Sequence, residues 1–377
     1  MRRVDFDSAS TTNVQAQVLK TYIDLLQKEY ANSESLYDEG VAMHLKLEKA
    51  RAAIASLLQV QAQEIIFTSG ASESNSAAIK GVCFAQRDKK HILTTSIEHS
   101  SVRHAVAQMA EIFNYEVTYL SVSEKGVISL EEMKKSLRED TAIVSIMAVN
   151  NEVGSIQPIQ EVGEYVKKHS HAYFHVDLTQ AIGKVELDMK YIDLASMSAH
   201  KMNGLKGSGI LVKKNHVPFI PLINGGEQEF GLRGGTANAL VDLVLAKTLR
   251  LYLEEQKKKR PHIQALKKRL VTGLRKLEGV WINSPSEGIA NIVNFSYPKI
   301  PSEVMQNALN KKGFMVSAKS TCDSKSSEPS EVLMAMGLGR DRSLSSIRVS
   351  FHGENTLEEV DSFLKAYREV IQQYGSL

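Results

Sequence analysis

One lysine closes an apolar segment and has groups beside it that can hold an anion. Lys201 ends the run 193–201, which reads Asp-Leu-Ala-Ser-Met-Ser-Ala-His-Lys, and a glycine-rich turn follows. Burial at the end of a strand lowers the pKa of a lysine and makes its amine nucleophilic. Ser198 and His200 could bind a phosphate beside it. Alone, however, a lysine at the end of a strand is more often a surface residue.

An aspartate ends a second apolar run upstream, at 174–177. Such a run is typical of a buried parallel strand, and Asp177 stands where these sheets bind ligands. By itself Asp177 is more often a helix N-cap or an ordinary strand-end residue. With Lys201 at a second strand end, the pair favours pyridoxal phosphate (PLP), held as a Schiff base on Lys201. The protonated ring of PLP needs a carboxylate at its nitrogen.

A third segment, 64–75, offers a site for the phosphate of that cofactor. A β-branched strand at 64–68 leads into Ser69-Gly70-Ala71-Ser72 and then into a helical pattern. Hydroxyl and backbone N–H groups at a helix N-terminus bind anions. The glycine spacings of the dinucleotide fingerprint and of the P-loop are both missing.

Together these segments closely resemble the cysteine desulfurases of the NifS/IscS class, within the fold-type I, class V aminotransferase-like PLP enzymes. The resemblance runs from Asp5 to Ser350, nearly the whole chain. The motifs that carry it lie at 66–75, 97–99, 150–154, 175–180, 198–201, 228–238 and 328–330.

The resemblance implies a role for each residue around the cofactor. Lys201 would be the Schiff-base lysine and Asp177 the partner of the ring nitrogen. Gln180 would donate to the phenolic oxygen, and His99 would stack on the ring. The phosphate would be held by four residues of this chain and by a threonine of the partner subunit, namely Ala71, Ser72, Ser198, His200 and Thr236. Two residues would orient the substrate amino acid: Asn151, and Arg348, whose guanidinium can read a carboxylate as a bidentate fork.

The two cysteines of the chain differ in their surroundings. Two cysteines imply no disulfide framework and favour a reducing cytoplasm. Cys83 lies in an apolar helical stripe and is predicted to be an inert core residue. Cys322 lies in a polar segment where Lys319 and Lys325 favour the thiolate and Asp323 opposes it. We expect Cys322 to be an exposed nucleophile on a loop.

These residues predict a reaction. A PLP-dependent cysteine desulfurase would convert L-cysteine to L-alanine, leave a persulfide on Cys322, and pass the sulfur to an acceptor protein. The acceptor would serve iron–sulfur cluster assembly, thio-cofactor synthesis or tRNA thiolation. We expect a homodimer with composite sites. Alternatives are a selenocysteine lyase, another PLP enzyme of the same fold such as an aminotransferase, and a PLP-binding scaffold with little turnover.

Composition excludes several other classes. The formal charge of +3 is too small to indicate nucleic-acid binding. The sequence contains no apolar run of about 18 residues, so no membrane span is expected. The first residues lack a secretory signal pattern, and no metal site is predicted. We therefore expect a cytoplasmic protein. The 377 residues suffice for a large PLP-binding domain at 13–258 and a small α+β domain formed by 1–12 and 259–377, which carries the nucleophile loop.

Strand and helix patterns alternate along the chain, which predicts an α/β fold with a doubly wound, mainly parallel sheet. A helix is expected at 237–259, and a separate helix after Pro261. Strands are expected at 64–68, 91–95, 115–121, 141–149, 172–176, 193–198 and 209–212, then near 290–297 and 315–317.

The sequence also departs from the family pattern. Residues 8–12 read Ser-Ala-Ser-Thr-Thr in place of the usual Asn-Ala-Ala-Thr-Thr. Since the PLP residues are kept, we expect these changes to affect substrate access, loop motion and partner choice. The other departures are Tyr37, Glu227, Phe230, Lys319 and His352.

Overall fold

The computed structural model describes residues 3–318 and 328–375. Strands and helices alternate through most of these ranges. The strands are β1 (Val4–Asp5), β2 (Ile65–Thr68), β3 (His91–Thr95), β4 (Glu116–Leu120), β5 (Thr141–Met147), β6 (Tyr173–Asp177), β7 (Leu194–Ser198), β8 (Gly209–Lys213), β9 (Trp281–Ile282), β10 (Ile292–Ser296), β11 (Phe314–Met315) and β12 (Ser346–Ser350). The α-helices are α1 (Ala16–Lys28), α2 (Asp38–Leu58), α3 (Ala71–Ala85), α4 (Ser100–Phe113), α5 (Leu130–Ser136), α6 (Ile159–His169), α7 (Ala239–Leu274), α8 (Ser302–Lys311), α9 (Glu331–Ala335), α10 (Arg340–Leu344) and α11 (Leu357–Tyr374).

The main sheet has seven strands in the order β2-β8-β7-β6-β5-β3-β4. Strands β3, β4, β5, β6 and β7 are parallel, and β8 runs antiparallel to both β7 and β2. All seven residues of β5 are buried, since helices cover both faces of a parallel sheet. The predicted fold class, α/β with a mainly parallel sheet flanked by helices, is confirmed, and the expected strands are displaced by no more than two residues.

A second hydrophobic core lies around the three-stranded sheet β12-β10-β9. Chain ends far apart in sequence meet there. Strand β1 pairs with β11 in parallel, and Phe6 packs edge-on against Phe351 and Phe363. The N-terminal residues therefore join the C-terminal part of the chain.

Helix α7 corrects one expectation. A break was expected near Pro261, but a single helix runs from Ala239 to Leu274 through that residue. Proline removes one backbone donor and leaves the carbonyl four residues earlier unpaired. Lys257, which carries that carbonyl, is exposed, so water can satisfy it. Burial of Tyr252 before the proline and of Ile263 after it stabilises the continuous helix.

None of the helices in the described ranges is long and apolar enough to cross a membrane.

Candidate active site

Six strands of the main sheet run in one direction and end at the same edge. Strands β3, β4, β5, β6 and β7 are parallel, and β2 has the same direction because β8 is antiparallel to both β7 and β2. Gly209 pairs with Thr68 on one side and with Ser198 on the other. A Cβ at Gly209 would lie 2.5 Å from the Cα of Gly70, so only glycine lets the two strand ends approach this closely.

A cavity of about 550 Å³ opens at this edge, large enough for a cofactor and a small substrate. It is lined by all but two of the residues that the sequence assigned to the site: Ala71, Ser72, His99, Asn151, Asp177, Gln180, Ser198, His200, Lys201 and Arg348. Thr236 is exposed and does not line the cavity of its own chain. Cys322 lies outside the described residues.

Lys201 reaches the cavity from the short 3₁₀ helix Ala199–Lys201, directly after β7. Its Nζ donates to the backbone carbonyls of Ala9, at 2.6 Å, and Ser10. The N-terminal segment thus comes within reach of the predicted cofactor lysine. Carbonyl acceptors hold the amine without adding a counter-charge.

Asp177 is buried at the end of β6 and is held on both oxygens. Oδ1 accepts from the Thr179 backbone N–H at 2.9 Å, and Oδ2 accepts from Asn75 Nδ2 at 2.8 Å. Asn75, which is fully buried on α3, also donates to Ser101 Oγ at 2.9 Å. Sequence reasoning gave Asn75 no role. Its spacing of four residues from Ala71, one turn along α3, was the available signal.

The cavity contains groups suited to the phosphate of PLP and a group suited to its ring nitrogen. The first turn of α3 and the hydroxyls of Ser72 and Ser198 line it and suit a phosphate, while the Asp177 carboxylate suits a ring nitrogen. Thr179 also lines the cavity, and its buried hydroxyl has no hydrogen-bond partner in the described part of the chain. A buried polar atom of this kind is usually satisfied in the functional state, so the residues fit the cofactor.

The two histidines of the cavity have different settings. His99 is the N-cap of α4, where its Nδ1 accepts from the Ser101 backbone N–H at 3.2 Å. His200 pairs with Thr11 Oγ1 at 3.1 Å. Burial and the positive charges of Lys201 and Lys206 lower the pKa of His200 to about 4. His200 is therefore neutral at pH 7 and would act on a phosphate as a hydrogen-bonding group.

Lys184 fixes the orientation of Gln180. Its Nζ donates to Gln180 Oε1 at 2.9 Å, while Gln180 Nε2 donates to the Ala9 carbonyl at 2.9 Å. The Ala9 carbonyl can only accept, so the amide nitrogen must face Ala9 and its oxygen faces Lys184. Burial and the charges of Lys201 and Arg348 lower the pKa of Lys184 to about 7. Sequence reasoning missed Lys184.

Arg348 enters the cavity from β12 and is almost fully buried. Its Nη1 donates to the Asn151 carbonyl at 2.8 Å, and its Nη2 donates to Asp7 Oδ1 at 2.9 Å and to Ser10 Oγ at 2.6 Å. Its Nε has no partner among the described residues. Ser10, one of the departures from the family pattern, therefore contacts the predicted carboxylate-binding residue directly.

Glu98 is a buried acid near the strand ends. Its Oε1 accepts from Thr95 Oγ1 at 2.7 Å and from the Met147 backbone N–H at 2.9 Å, which ties β3 to β5. Burial and the negative charge of Asp177 raise the pKa of Glu98 to about 8. Glu98 is therefore mostly protonated at neutral pH.

The segment 225–238, which contains Thr236, is held by a buried ion pair. Arg51 donates to the two carboxylate oxygens of Glu229 at 2.7 and 2.8 Å, and Phe67 N–H donates to the same carboxylate at 2.8 Å. Glu229 and Phe230 have left-handed backbones, with φ of 48° and 60°. The ion pair stabilises a backbone conformation that residues with a side chain rarely adopt.

Four of the remaining departures, Tyr37, Glu227, Phe230 and His352, lie outside the cavity lining. Glu227 has an ordinary φ of −84°, so no glycine is required there. Phe230 lies 4.9 Å from the Arg51 guanidinium, and Tyr37 is an exposed N-cap of α2. His352 lies outside the cavity lining, and Lys319 falls outside the described residues. Cys83 is fully buried in α3, and burial raises the pKa of its thiol to about 12, in agreement with the predicted inert role.

Comparison with known proteins places this site in a family. The family model for "Aminotransferase class-V" matches residues 4–363. The chain belongs to the class-V aminotransferase family, whose members are PLP enzymes.

Within that family, proteins similar to this chain include cysteine desulfurases. The chain is 39% identical to the cysteine desulfurase IscS of Methanosarcina thermophila, over all of this chain and 94% of the relative. It is 38% identical to a NifS/IscS-type homolog of Lactobacillus delbrueckii, over 99% and 98%. The mitochondrial cysteine desulfurase of Saccharomyces cerevisiae is 38% identical, over 98% of this chain and 75% of the relative.

A solved structure titled as a NifS-like protein is 39% identical, covers 98% of this chain and 100% of its own, and superposes with a TM-score of 0.92. SspA in complex with cysteine is 29% identical, with a TM-score of 0.82 over 93% of this chain and 99% of its own. The resemblance to the NifS/IscS class inferred from the sequence is confirmed.

Proposed function

We propose that this chain is a PLP-dependent cysteine desulfurase that converts L-cysteine to L-alanine. The observation that carries the proposal is the cavity at the strand ends, where Lys201, Asp177 and the first turn of α3 meet. The full-length similarity to cysteine desulfurases supports it.

The residues of the cavity would divide the work of holding the cofactor. Ala71, Ser72, Ser198 and His200 would bind the phosphate, and Asp177, held by Asn75, would face the ring nitrogen. Gln180, oriented by Lys184, would donate to the phenolic oxygen, and His99 would lie on the ring face. PLP, when bound, supplies an aldehyde that combines with amines and a ring that stabilises negative charge on carbon.

The protein's own groups bind the substrate and move its protons. Arg348 would bind the substrate carboxylate with Asn151 beside it, and its unpartnered Nε is one available donor. Lys201 Nζ, once released from the carbonyls of Ala9 and Ser10, would carry the proton that leaves Cα of the substrate. Acceptors without charge favour such an exchange.

Sulfur transfer requires a second nucleophile. The thiolate of Cys322 attacks the substrate sulfur, the bond between Cβ and that sulfur breaks, and a proton takes the place of the sulfur on carbon. The products are L-alanine and a persulfide on Cys322, so one sulfur atom moves and no other oxidant is needed. The persulfide then passes its outer sulfur to a thiol-bearing acceptor protein in the cytoplasm, for iron–sulfur cluster assembly, thio-cofactor synthesis or tRNA thiolation.

The assembly that fits this site is a homodimer of two-domain subunits. The exposed position of Thr236 suits a phosphate contact with the cavity of the partner subunit. We assign 13–258 to the large domain, and 1–12 with 259–377 to the small domain, which has its own hydrophobic core. Sedimentation should find a dimer, and a fully active monomer would contradict the composite site.

The decisive test is cysteine turnover by the PLP-loaded protein with a thiol reductant. Alanine and sulfide should form in equal amounts, and borohydride should attach the cofactor to the peptide that contains Lys201. Cys322→Ser should keep PLP but lose sulfur transfer by orders of magnitude, because a hydroxyl is hardly ionised at pH 7. The matched control Cys83→Ser should turn over normally. Normal sulfide release by Cys322→Ser would overturn the persulfide step.

The same assay separates the alternatives. A selenocysteine lyase would release selenide from selenocysteine far faster than sulfide from cysteine. An aminotransferase would form a keto acid instead of alanine, and a scaffold would bind PLP with no turnover.

A further inference from the structure

A second cavity, of about 490 Å³, lies away from the strand-end site. One wall is the C-terminal part of α7 from Arg260 onward, together with its C-cap residue Arg275. The opposite wall is the segment 282–291, which runs from the last residue of β9 to the residue before β10, and Lys184 also lines the cavity. Neither the proposed reaction nor the family resemblance gives this cavity a role.

Its lining has a one-sided charge. Five lining residues are basic, and in the part of the chain that the structure describes none of the lining residues is acidic. The basic residues are Lys184, Arg260, Lys267, Lys268 and Arg275. The formal charge of the whole chain is only +3, so this concentration is local. Like charges gathered around one cavity repel each other unless an anion neutralises them.

The nearby acids do not neutralise the cavity. Glu287 is turned to Lys125, at 3.1 Å, and its side chain is largely exposed. Glu186 lies 3.7 Å from Arg260 Nη1, and its side chain is almost fully exposed. An ion pair in water contributes little and leaves the guanidinium able to bind another anion.

The far wall is fixed in place by one of the lysines. Lys267 Nζ donates to the carbonyls of Gly288 at 3.0 Å and Ile289 at 3.1 Å, and more weakly to Pro285 at 3.4 Å. Burial lowers the pKa of Lys267, against the opposing charge of Glu287. The segment 285–289 is thus held against α7, and the cavity is preformed.

The remaining basic groups are arranged for a ligand. Arg260, Lys268 and Arg275 are exposed at positions that α7 places on one face. Lys268 and Arg275 form no ion pair with any described residue. Between the walls lie the apolar side chains of Ile263 and Ile289, both buried. Guanidinium and ammonium groups beside an apolar wall suit a ligand with phosphate groups and a less polar body.

We propose that this cavity binds a phosphorylated small molecule, with its phosphate groups at Arg260, Lys268 and Arg275 and its body against Ile263 and Ile289. The site is separate from the predicted cofactor cavity, so the proposal does not depend on cysteine turnover.

The test is calorimetric titration of the PLP-loaded protein with ADP and, separately, with inorganic pyrophosphate. PLP then occupies the phosphate site at the strand ends, and its absorbance reports any displacement. We expect saturable binding, one ligand per chain, that weakens as salt is added. If ADP binds more tightly than pyrophosphate, the apolar wall contributes to recognition. If the two bind equally, the phosphate groups alone are recognised. Either result supports the anion site.

The variant Lys268→Met/Arg275→Met should weaken binding at least about tenfold, because it removes two charged hydrogen-bond donors to the phosphate groups. The control Lys257→Met/Lys258→Met removes the same charge from exposed positions of α7 outside the cavity, and it should change affinity less than about twofold, an exposed charge contributing little. Absence of saturable binding by both probes, or equal weakening by both variants, would overturn the proposal.

Discussion

The buried pair Arg51–Glu229 offers a sharp test of how the segment 225–238 is held. Glu229→Gln keeps the size of the side chain and removes its charge. Arg51 then loses the partner that now accepts from both of its terminal nitrogens, at 2.7 and 2.8 Å. We expect this substitution to destabilise the protein and to loosen the strained backbone at Glu229 and Phe230.

The size of the effect follows from the contacts that remain. Removing one partner of a buried ion pair costs about 3–5 kcal/mol. Arg51 still has Glu48, at 2.9 Å from its Nε, and the Ile65 carbonyl, at 2.6 Å, so about 3 kcal/mol is expected. Unfolding entropy is about 2.1 cal/mol/K per residue. For 377 residues, 3 kcal/mol corresponds to a fall of about 4 °C in the unfolding midpoint.

Thermal unfolding at pH 7 is the assay, and Glu254→Gln is the matched control. Glu254 pairs with Arg250 at 2.9 Å on the exposed face of α7, where both side chains are about half exposed, so its loss should cost less than about 0.5 kcal/mol. The double variant Arg51→Met/Glu229→Met should cost less than the sum of the single substitutions, since no unpaired charge is left buried. A fall of less than about 1 °C for Glu229→Gln would refute the reasoning, because the pair would then not hold the segment.

Three further outcomes are expected. The pKa of Glu98 is raised to about 8 from an ordinary 4.5, so its protonated form contributes stability that is present at low pH and lost as pH rises to about 8. The thermal unfolding midpoint of Glu98→Gln should therefore rise relative to that of the unsubstituted protein between about pH 4.5 and 8. Parallel plots of the two unfolding midpoints against pH would contradict this. Gly209→Ala places a Cβ 2.5 Å from the Gly70 Cα. It should lower the free energy of unfolding by about 1–3 kcal/mol and weaken PLP binding about tenfold or more, as measured by cofactor titration. Gly207→Ala, whose Cβ meets nothing within 4 Å, should lower the free energy of unfolding by about 1–2 kcal/mol through its left-handed backbone but keep the cofactor. Asn75→Ala removes a 2.8 Å donor from Asp177 and should shift the visible absorbance of bound PLP; an unchanged spectrum would show that Asn75 does not position the carboxylate.

The sequence determined the chemistry of the active site to a large extent. Lys201 and Asp177 each follow an apolar strand, and parallel strands present their carboxyl ends at one edge of a sheet. That local pattern was enough to predict that the two side chains line one cavity. The helix start after Gly70 was readable for the same reason, since a Ser/Gly turn before a helical pattern marks an anion site.

Helix α7 shows where local rules fail. A proline such as Pro261 ends a helix in most sequences. Here the hydrophobic side chains on both sides of it are buried by tertiary packing, which the local sequence does not reveal. Tertiary burial outweighed the loss of one backbone hydrogen bond, which an exposed carbonyl replaces with water.

Other properties depended on contacts between distant residues. Gln180 reaches the Ala9 carbonyl, 171 positions away, only because the N-terminal segment folds onto the strand ends, and Asn75 reaches Asp177 only because α3 packs over the sheet. The Arg51–Glu229 pair joins positions 178 residues apart. The basic cavity likewise forms between α7, which carries most of its basic residues, and the segment 282–291, which carries none of them. Sequence spacing fixes which side chains share one element, whereas the meeting of charges from separate elements is decided by packing alone.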